Sequence, residues 1–223
     1  MLVEMWMTRD PITVVPATSI SETALLMARG HIRRLVVVEH PGGRVVGMVA
    51  ASDVARAFPP DLNPASAAVT ERSVPAPVAT IMTRAVHTIT AGSGIDEAAR
   101  RMRREKIGAL PVLRGARLVG IITESDVFRA IVEMSDPGTA GVRITFELAE
   151  DEELVSTVAG LCADYALRIG SLFSFHHRDA PDGRTCRLGV ARLIGDAPAE
   201  LVDGLWRSHH RVLAVAPCPS QPE

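Results

Sequence analysis

The chain is short of aromatic residues, of cysteine and of lysine. Only 4% of its 223 residues are aromatic, and the formal charge is -2. Binding a single strand by stacking needs aromatic platforms, and holding a phosphate backbone needs an excess of cations. Neither is present, which argues against nucleic acid as the main partner. The three cysteines, Cys162, Cys186 and Cys218, are an odd and scattered set. They form no disulfide framework and point to a reducing, cytoplasmic setting. No apolar run reaches the roughly 18–20 residues of a membrane span. Met1 to Met5 has no basic stretch ahead of an apolar one, so neither a membrane anchor nor a secretory leader is expected. Of the basic residues only Lys106 is a lysine, a skew better explained by base composition than by function. No Cys-x-x-Cys, His-Glu-x-x-His, nucleophile elbow or phosphate-binding Walker loop occurs, so no enzyme activity is expected.

What the chain does have is apolar content, 47%, enough for a real core, and a length that fits one large or two small domains. It also has an internal repeat. Met7-Thr8-Arg9 recurs as Met82-Thr83-Arg84, 75 positions later. Thr13, Met27, Ile32 and Leu35 match Thr88, Met102, Ile107 and Leu110 at the same offset, and Ile20-Ser21-Glu22 matches Ile95-Asp96-Glu97. After a two-residue contraction, Gly47 to Val54 matches Gly120 to Val127.

Each copy reads β-α-β-β-α. Ile12 to Val15 is a short β-branched strand. Ser19-Ile20-Ser21-Glu22 is a capping box that opens a helix, and Ser93-Gly94-Ile95-Asp96 is its counterpart. Leu35 to Val38 is a buried strand, Pro41-Gly42-Gly43 a turn, and Arg44 to Val49 the returning strand. Ser52 to Phe58 is the closing helix, ended by Pro59-Pro60. The basic run Arg100, Arg101, Arg103 and Arg104 is the solvated face of a helix whose other side carries Ala98, Ala99 and Met102.

Two such copies, each opening on Met-Thr-Arg and closing on Gly-x-x-x-x-Ser-Asp-Val, resemble a pair of CBS domains, a Bateman module. The resemblance covers about residues 1–135, with repeat 1 over 5–58, a Pro-, Ala- and Ser-rich linker over 59–77 and repeat 2 over 78–134. It implies two copies packed by pseudo-twofold symmetry, with clefts that bind adenosyl ligands: AMP, ADP, ATP or S-adenosylmethionine. It also implies a Thr or Ser and an Asp three positions later as ligand holders. The carboxylate accepts from the ribose hydroxyls in a charge-assisted bond, and the helix N-terminus adds amide donors for anionic groups. The second copy has the full pair, Thr123 and Asp126. The first has Asp53 but Ala50 in place of the hydroxyl. Thr123-x-x-Asp126 is at the same time a capping box, and the two roles are compatible.

In that family the two residues before the Leu of the second strand lie where the clefts meet. Here they are Arg33 and Arg34, preceded by His31, in the first copy. Gly108 and Ala109 hold the position in the second, with Lys106 nearby. The guanidinium fork suits phosphate oxygens. An exposed strand start, or a pair with acidic residues, is the plain alternative. Gly108 and Ala109 are small enough to leave room for an adenine ring, and Val15, Pro16 and Ala17, with Val14, are candidates for its apolar wall.

Beyond Asp136-Pro137-Gly138 a second domain is expected over 140–217, followed by a tail over 218–223. Val142, Ile144, Phe146 and Leu148 alternate as a half-buried strand. An acidic start, Glu150 to Glu153, precedes a helix. Strands over 167–175 and 186–193 flank a turn at Asp179 to Gly183. A helix over 197–206 and a strand over 212–215 complete β-α-β-β-α-β, the ferredoxin-like plan. A CBS pair followed by this plan resembles the acetoin-utilisation (AcuB-type) proteins, with an ACT-like C-terminal domain. The turn Ala149 to Glu152 lacks the Gly usual in that family and is acidic, which argues against an amino-acid carboxylate there. The histidines His176, His177, His209 and His210, with Cys186, lack metal-site spacing.

The expected fold is thus α/β (α+β), and the expected protein a cytoplasmic, non-catalytic sensor that passes adenosyl binding to its ACT-like domain or to an unidentified protein partner. The alternatives are a regulatory subunit of a metabolic enzyme with an amino-acid-responsive ACT domain, or a structural adaptor with empty clefts. A homodimer is expected, through an apolar helical face made of Val54, Ala55 and Phe58 with Val127, Phe128, Ile131 and Val132.

Overall fold

The computed structural model describes residues 1–58, 75–135, 138–177, 185–195, 200–207 and 210–220. The expected linker up to residue 74, the break at Asp136-Pro137, the turn at Asp179 to Gly183, the helix start at Ala197, His209 and the last three residues of the tail lie outside the described residues. The chain divides into two compact units, Met1–Ala130 and Ile131–Glu223.

In the first unit the repeat folds as expected. The first copy contains β2 (Thr13–Val14), α1 (Ile20–Gly30), β3 (Arg34–Val38), β4 (Val45–Ala50) and α2 (Ala51–Ala57). The second contains β5 (Ile89–Thr90), α3 (Ile95–Glu105), β6 (Ala109–Arg114), β7 (Arg117–Thr123) and α4 (Glu124–Ser135), whose residues from Ile131 on belong to the second unit. In each copy the first strand pairs parallel to the second, and the second antiparallel to the third. The parallel step needs a crossover, which α1 and α3 supply. Ser19 Oγ accepts the Glu22 N–H at 3.1 Å and caps α1. The counterpart differs from the expectation: Gly94 is the N-cap of α3 without a side-chain bond, and Ser93 Oγ instead meets Thr90 Oγ1 at 3.0 Å.

The Met-Thr-Arg segments do not open the copies they precede; the copies exchange them. β1 (Thr8–Arg9) pairs antiparallel with β7 of the second copy, Thr8 opposite Ile121. Thr83 pairs with Met48 of β4 in the first copy, through N–H···O bonds of 2.8 and 2.9 Å. The cores follow the same exchange. Val3 and Met7 pack with Leu110, Val112 and Ile122, whereas Val78 and Met82 pack with Leu35, Val37 and Val49. This explains the glycine that begins the closing motif. A Cβ on Gly120 would stand 2.5 Å from Met7 Sδ, and one on Gly47 2.6 Å from Met82 Sδ. A third cluster, Val36, Val38, Ala109 and Ile121, joins the two sheets.

The apolar helical face is smaller than the sequence implies. Val54, Phe58 and Val127 are buried core, because α2 and α4 lay these side chains onto the sheets. Phe128, Ile131 and Val132 stay 66%, 47% and 57% exposed.

The second unit contains β8 (Gly141–Leu148), α5 (Leu154–Tyr165), β9 (Arg168–His177), β10 (Cys186–Ile194), α6 (Glu200–Arg207) and β11 (Val212–Cys218). The sheet order is β11-β8-β10-β9, all antiparallel. Alternation along β8 buries Val142, Ile144, Phe146 and Leu148 against Leu154, Val158 and Leu161 of α5 and Leu201 and Leu205 of α6. A period of two on the strand facing a period near 3.6 on the helix makes this layer.

Candidate functional site

Two cavities lie at the strand-to-helix junctions of the first unit. One, about 340 Å³, is bounded by Thr123, Glu124, Ser125 and Asp126 at the start of α4. His31, Ile32, Arg33 and Arg34, entering β3 of the other copy, bound it too, with Asp10, Pro11 and Ile12 as a further wall. The second, about 220 Å³, is bounded by Ala50 and Asp53 at the start of α2, by Lys106 to Ala109 entering β6, and by Ala85, Val86 and His87. Thr8, Asp10, Pro11, Ile12 and His31 recur as Thr83, Ala85, Val86, His87 and Lys106 at the repeat offset. The cavities are therefore built from the same repeat positions. Each takes the junction of one copy and the helix-to-strand corner of the other.

The corner is made by an unusual backbone step. His31 and Lys106 end α1 and α3 in the left-handed region, at φ 49° and 54°. This C-cap closes a helix by returning amide hydrogens to its last carbonyls. Glycine usually takes it, so side chains here carry a conformational cost.

The junction carboxylates are held in place. Asp126 Oδ2 accepts from the Thr123 N–H at 2.9 Å and from the Thr123 hydroxyl at 2.7 Å, and Oδ1 accepts from Arg129 Nη2 at 3.1 Å. Arg129 also donates to the Trp6 carbonyl at 2.9 Å and lies over the Trp6 ring. Asp53 accepts from the Ala50 N–H at 2.9 Å and pairs with Arg56. Ala50 offers no hydroxyl in return. Arg33 and Arg34 make no side-chain hydrogen bond or ion pair among the described residues, so the pairing with acidic residues weighed for them is not formed.

A family model for the CBS domain matches residues 3–60 and 78–133, just over half of the chain. The chain belongs to the CBS domain family. It carries a pair of CBS regulatory domains. Among curated relatives, protein MJ1404 of Methanocaldococcus jannaschii is 33% identical over 146 residues, which is 64% of this chain and 34% of that protein. Protein MJ1225 of the same organism is 32% identical over 131 residues, 57% of this chain and 46% of that protein. Its crystal structure matches with a TM-score of 0.51 at 26% identity, covering 63% of this chain and 53% of that one. The Vibrio cholerae protein named AcuB matches with a TM-score of 0.49 at 28% identity, covering 60% of this chain and 91% of that one. The chain thus spans less than half the length of these two curated relatives.

Within the CBS pair, the larger cleft brings Thr123, Asp126, Arg33 and Arg34 together. Asp53, Gly108 and Ala109 line the smaller one. The space over Gly108 holds the ends of two flexible side chains, Arg34 and Glu124. A Cβ there would overlap Arg34 Nη2 and lie 2.6 Å from Glu124 Oε2. Val15, Pro16 and Ala17 line neither cavity. The Val15 and Pro16 carbonyls accept from the Thr18 and Ala79 N–H groups, a turn that anchors the segment before Met82. The wall is made instead by Asp10 to Ile12 and Ala85 to His87, which precede the strands. The repeat offset contains that signal, but only the exchange of segments turns those residues toward the clefts.

The basic run on α3 is a charged, largely exposed face: Arg100 pairs with Asp96 at 2.6 Å and Arg101 with Glu97 at 3.3 Å. In the second unit the acidic turn is filled from within. Arg187 Nη1 donates to the carbonyls of Ala149, Glu150 and Glu152 at 3.4, 3.2 and 2.7 Å. His210, buried and edge-on to Phe146, pairs with Glu152, and His176 meets Glu150 at 3.4 Å. Burial raises the Glu152 carboxyl, but the Thr157 hydroxyl, His210 and the Ala149 N–H outweigh it and hold the group below the ordinary carboxylate range. Among the described residues no cluster of three metal-ligating side chains occurs, and no helix is long and apolar enough to cross a membrane.

Proposed function

We propose that the chain is a non-catalytic sensor whose larger CBS cleft binds an adenosyl ligand: AMP, ADP, ATP or S-adenosylmethionine. One observation carries this reading. A cavity of about 340 Å³ gathers the Asp126 carboxylate, the Thr123 hydroxyl and the guanidinium groups of Arg33 and Arg34, which make no hydrogen bond or ion pair among the described residues, at a helix N-terminus. That volume is within the usual range for small-molecule sites, which pair an apolar lining with a few placed polar groups. Asp126 is oriented by Thr123 and Arg129 and is only about 10% exposed, so it can accept from a ribose diol without first being ordered. Arg33 and Arg34 face phosphate oxygens, and Pro11 and Ile12 give the base an apolar side.

The signal leaves through α4. That helix starts at the cleft with Glu124. A ligand that favours one setting of α4 biases whatever reads that helix, by its difference in affinity for the two settings. The second unit, ACT-like in its order of elements, serves on this reading as an output or association module. Its first turn is occupied by Arg187 rather than open to an amino acid. The exposed Phe128, Ile131 and Val132 on α4 fit a homodimer contact.

Calorimetry of the full chain against AMP, ADP, ATP, S-adenosylmethionine and adenosine tests the reading. Asp126→Ala removes hydrogen bonds to a charged acceptor and weakens binding by about 1.5–3 kcal/mol, while Asp53→Ala does less. Binding that survives Asp126→Ala and is abolished by Asp53→Ala overturns the assignment. Replacing Arg33 and Arg34 together weakens AMP and ATP more than adenosine, whereas equal losses mean that the pair acts through packing.

A further inference from the structure

We propose that the two clefts share one cation, Arg34, so that an anionic nucleotide in one lowers the affinity of the other for a second anionic nucleotide. The proposal rests on the adenosyl reading above and adds a coupling between the sites. Arg34 borders both cavities and, among the described residues, is the one residue common to the two. A symmetric repeat would give each cleft its own arginine pair. Here the counterparts of Arg33 and Arg34 are Gly108 and Ala109, which supply no charge.

Gly108 does supply a passage. Its backbone is not in the left-handed region, so conformation does not demand a glycine there. The demand comes from space: the guanidinium of Arg34 and the Glu124 carboxylate occupy the place of a side chain. The guanidinium therefore lies across the second copy's corner, at the boundary of the clefts. It makes no hydrogen bond or ion pair among the described residues that would hold it to one side.

A guanidinium carries a single positive charge, and a phosphate that engages it bidentately offsets much of that charge for any second phosphate. The first phosphate-bearing ligand takes Arg34. The second then meets a phosphate near its own, with that cation already engaged. In the larger cleft Asp10, Glu124 and Asp126 stand against Arg33 and His31. In the smaller, Asp53 stands against Lys106 and His87. Neither set replaces Arg34 in full. Adenosine, which carries no phosphate, does not compete for it.

The test is calorimetry of the full chain with ATP and, separately, with adenosine. Asp126→Ala weakens the larger cleft by roughly 10- to 150-fold, so at ligand concentrations below its new range the smaller cleft is read on its own. With a shared cation, ATP binds the smaller cleft of this variant at least about fivefold more tightly than the second ATP binds the unaltered chain. Adenosine shows no such difference. Arg34→Gln weakens ATP in both clefts and brings the coupling below twofold. Gly108→Ala gives a second, milder probe. Its methyl displaces only the ends of two flexible side chains, so the fold is kept, and the coupling falls while ATP still binds beside Arg33. If adenosine and ATP both bind and Asp126→Ala leaves the smaller cleft's ATP affinity unchanged, the sharing is wrong and the adenosyl reading stands. The sharing also fails if Arg34→Gln weakens ATP in one cleft alone, or if the smaller cleft takes no ligand. If neither ATP nor adenosine binds, the adenosyl reading falls with it.

Discussion

Ala50→Thr is a direct probe of the difference between the clefts. In the second copy the Thr123 N–H and hydroxyl donate to one carboxylate oxygen of Asp126, at 2.9 and 2.7 Å. In the first copy the Ala50 N–H donates to Asp53 at the same 2.9 Å. Backbone and carboxylate already stand in the right relation, and only the hydroxyl is missing. Ala50 has φ -101° and ψ 157°, extended geometry that a β-branched residue readily adopts, and it borders the smaller cavity. The threonine gains a helix cap worth about 0.5–2 kcal/mol. On the proposed function it also gains a neutral hydrogen bond to the ligand, worth about 0.5–1.5 kcal/mol, or roughly two- to twelvefold in affinity. Thermal unfolding reads the first gain, as a rise of roughly 2–4 °C per kcal/mol for a chain of this size. Calorimetry with adenosine in an Asp126→Ala background reads the second, because the larger cleft is then weakened and the change produced by Ala50→Thr belongs to the smaller one. A rise in the unfolding midpoint without tighter adenosine binding would reduce the hydroxyl to a cap. No change in either would refute the equivalence of the two junctions.

Other expectations follow from the same structure. Changing Phe128 and Ile131 to Asp leaves the unfolding midpoint nearly unchanged, since both are exposed, and on the dimer reading it yields monomers; light scattering and a melt check the two halves separately. Met7→Ala removes the side chain that fills the space over Gly120 in the second copy and costs about 2–5 kcal/mol, measured by denaturant unfolding. A loss near zero would contradict the exchange of segments. Glu152, held below its ordinary range, gives stability that is present above its unfolded value and lost as the pH falls through its folded one. Unfolding followed from neutral to acid pH shows that loss, and Glu152→Gln flattens it; an unchanged acid slope in the variant would assign the loss to other carboxylates.

The repeat, its β-α-β-β-α order and the β-α-β-β-α-β order of the second unit were legible in the sequence. They rest on local periodicities: alternation along Val142 to Leu148, helical spacing through Leu154, Val158 and Leu161, and turn residues between strands. The pair Thr123 and Asp126 was legible too, because a cap is a local motif three residues long. Other features depended on which surfaces meet. That Met7 serves the second copy and Met82 the first is invisible in either segment, since both present the same apolar residue at the same repeat position. That Asp10 to Ile12 wall the larger cavity, while Val15 to Ala17 do not, follows from that exchange. That Val54 and Phe58 are core while Phe128 and Ile131 stay exposed depends on how far each helix lies over its sheet. Local pattern assigns each residue to an element and a face, because backbone geometry repeats within a few residues. Which face meets which partner is set by packing between segments as far apart as Arg34 and Gly108, and there only the tertiary structure decides.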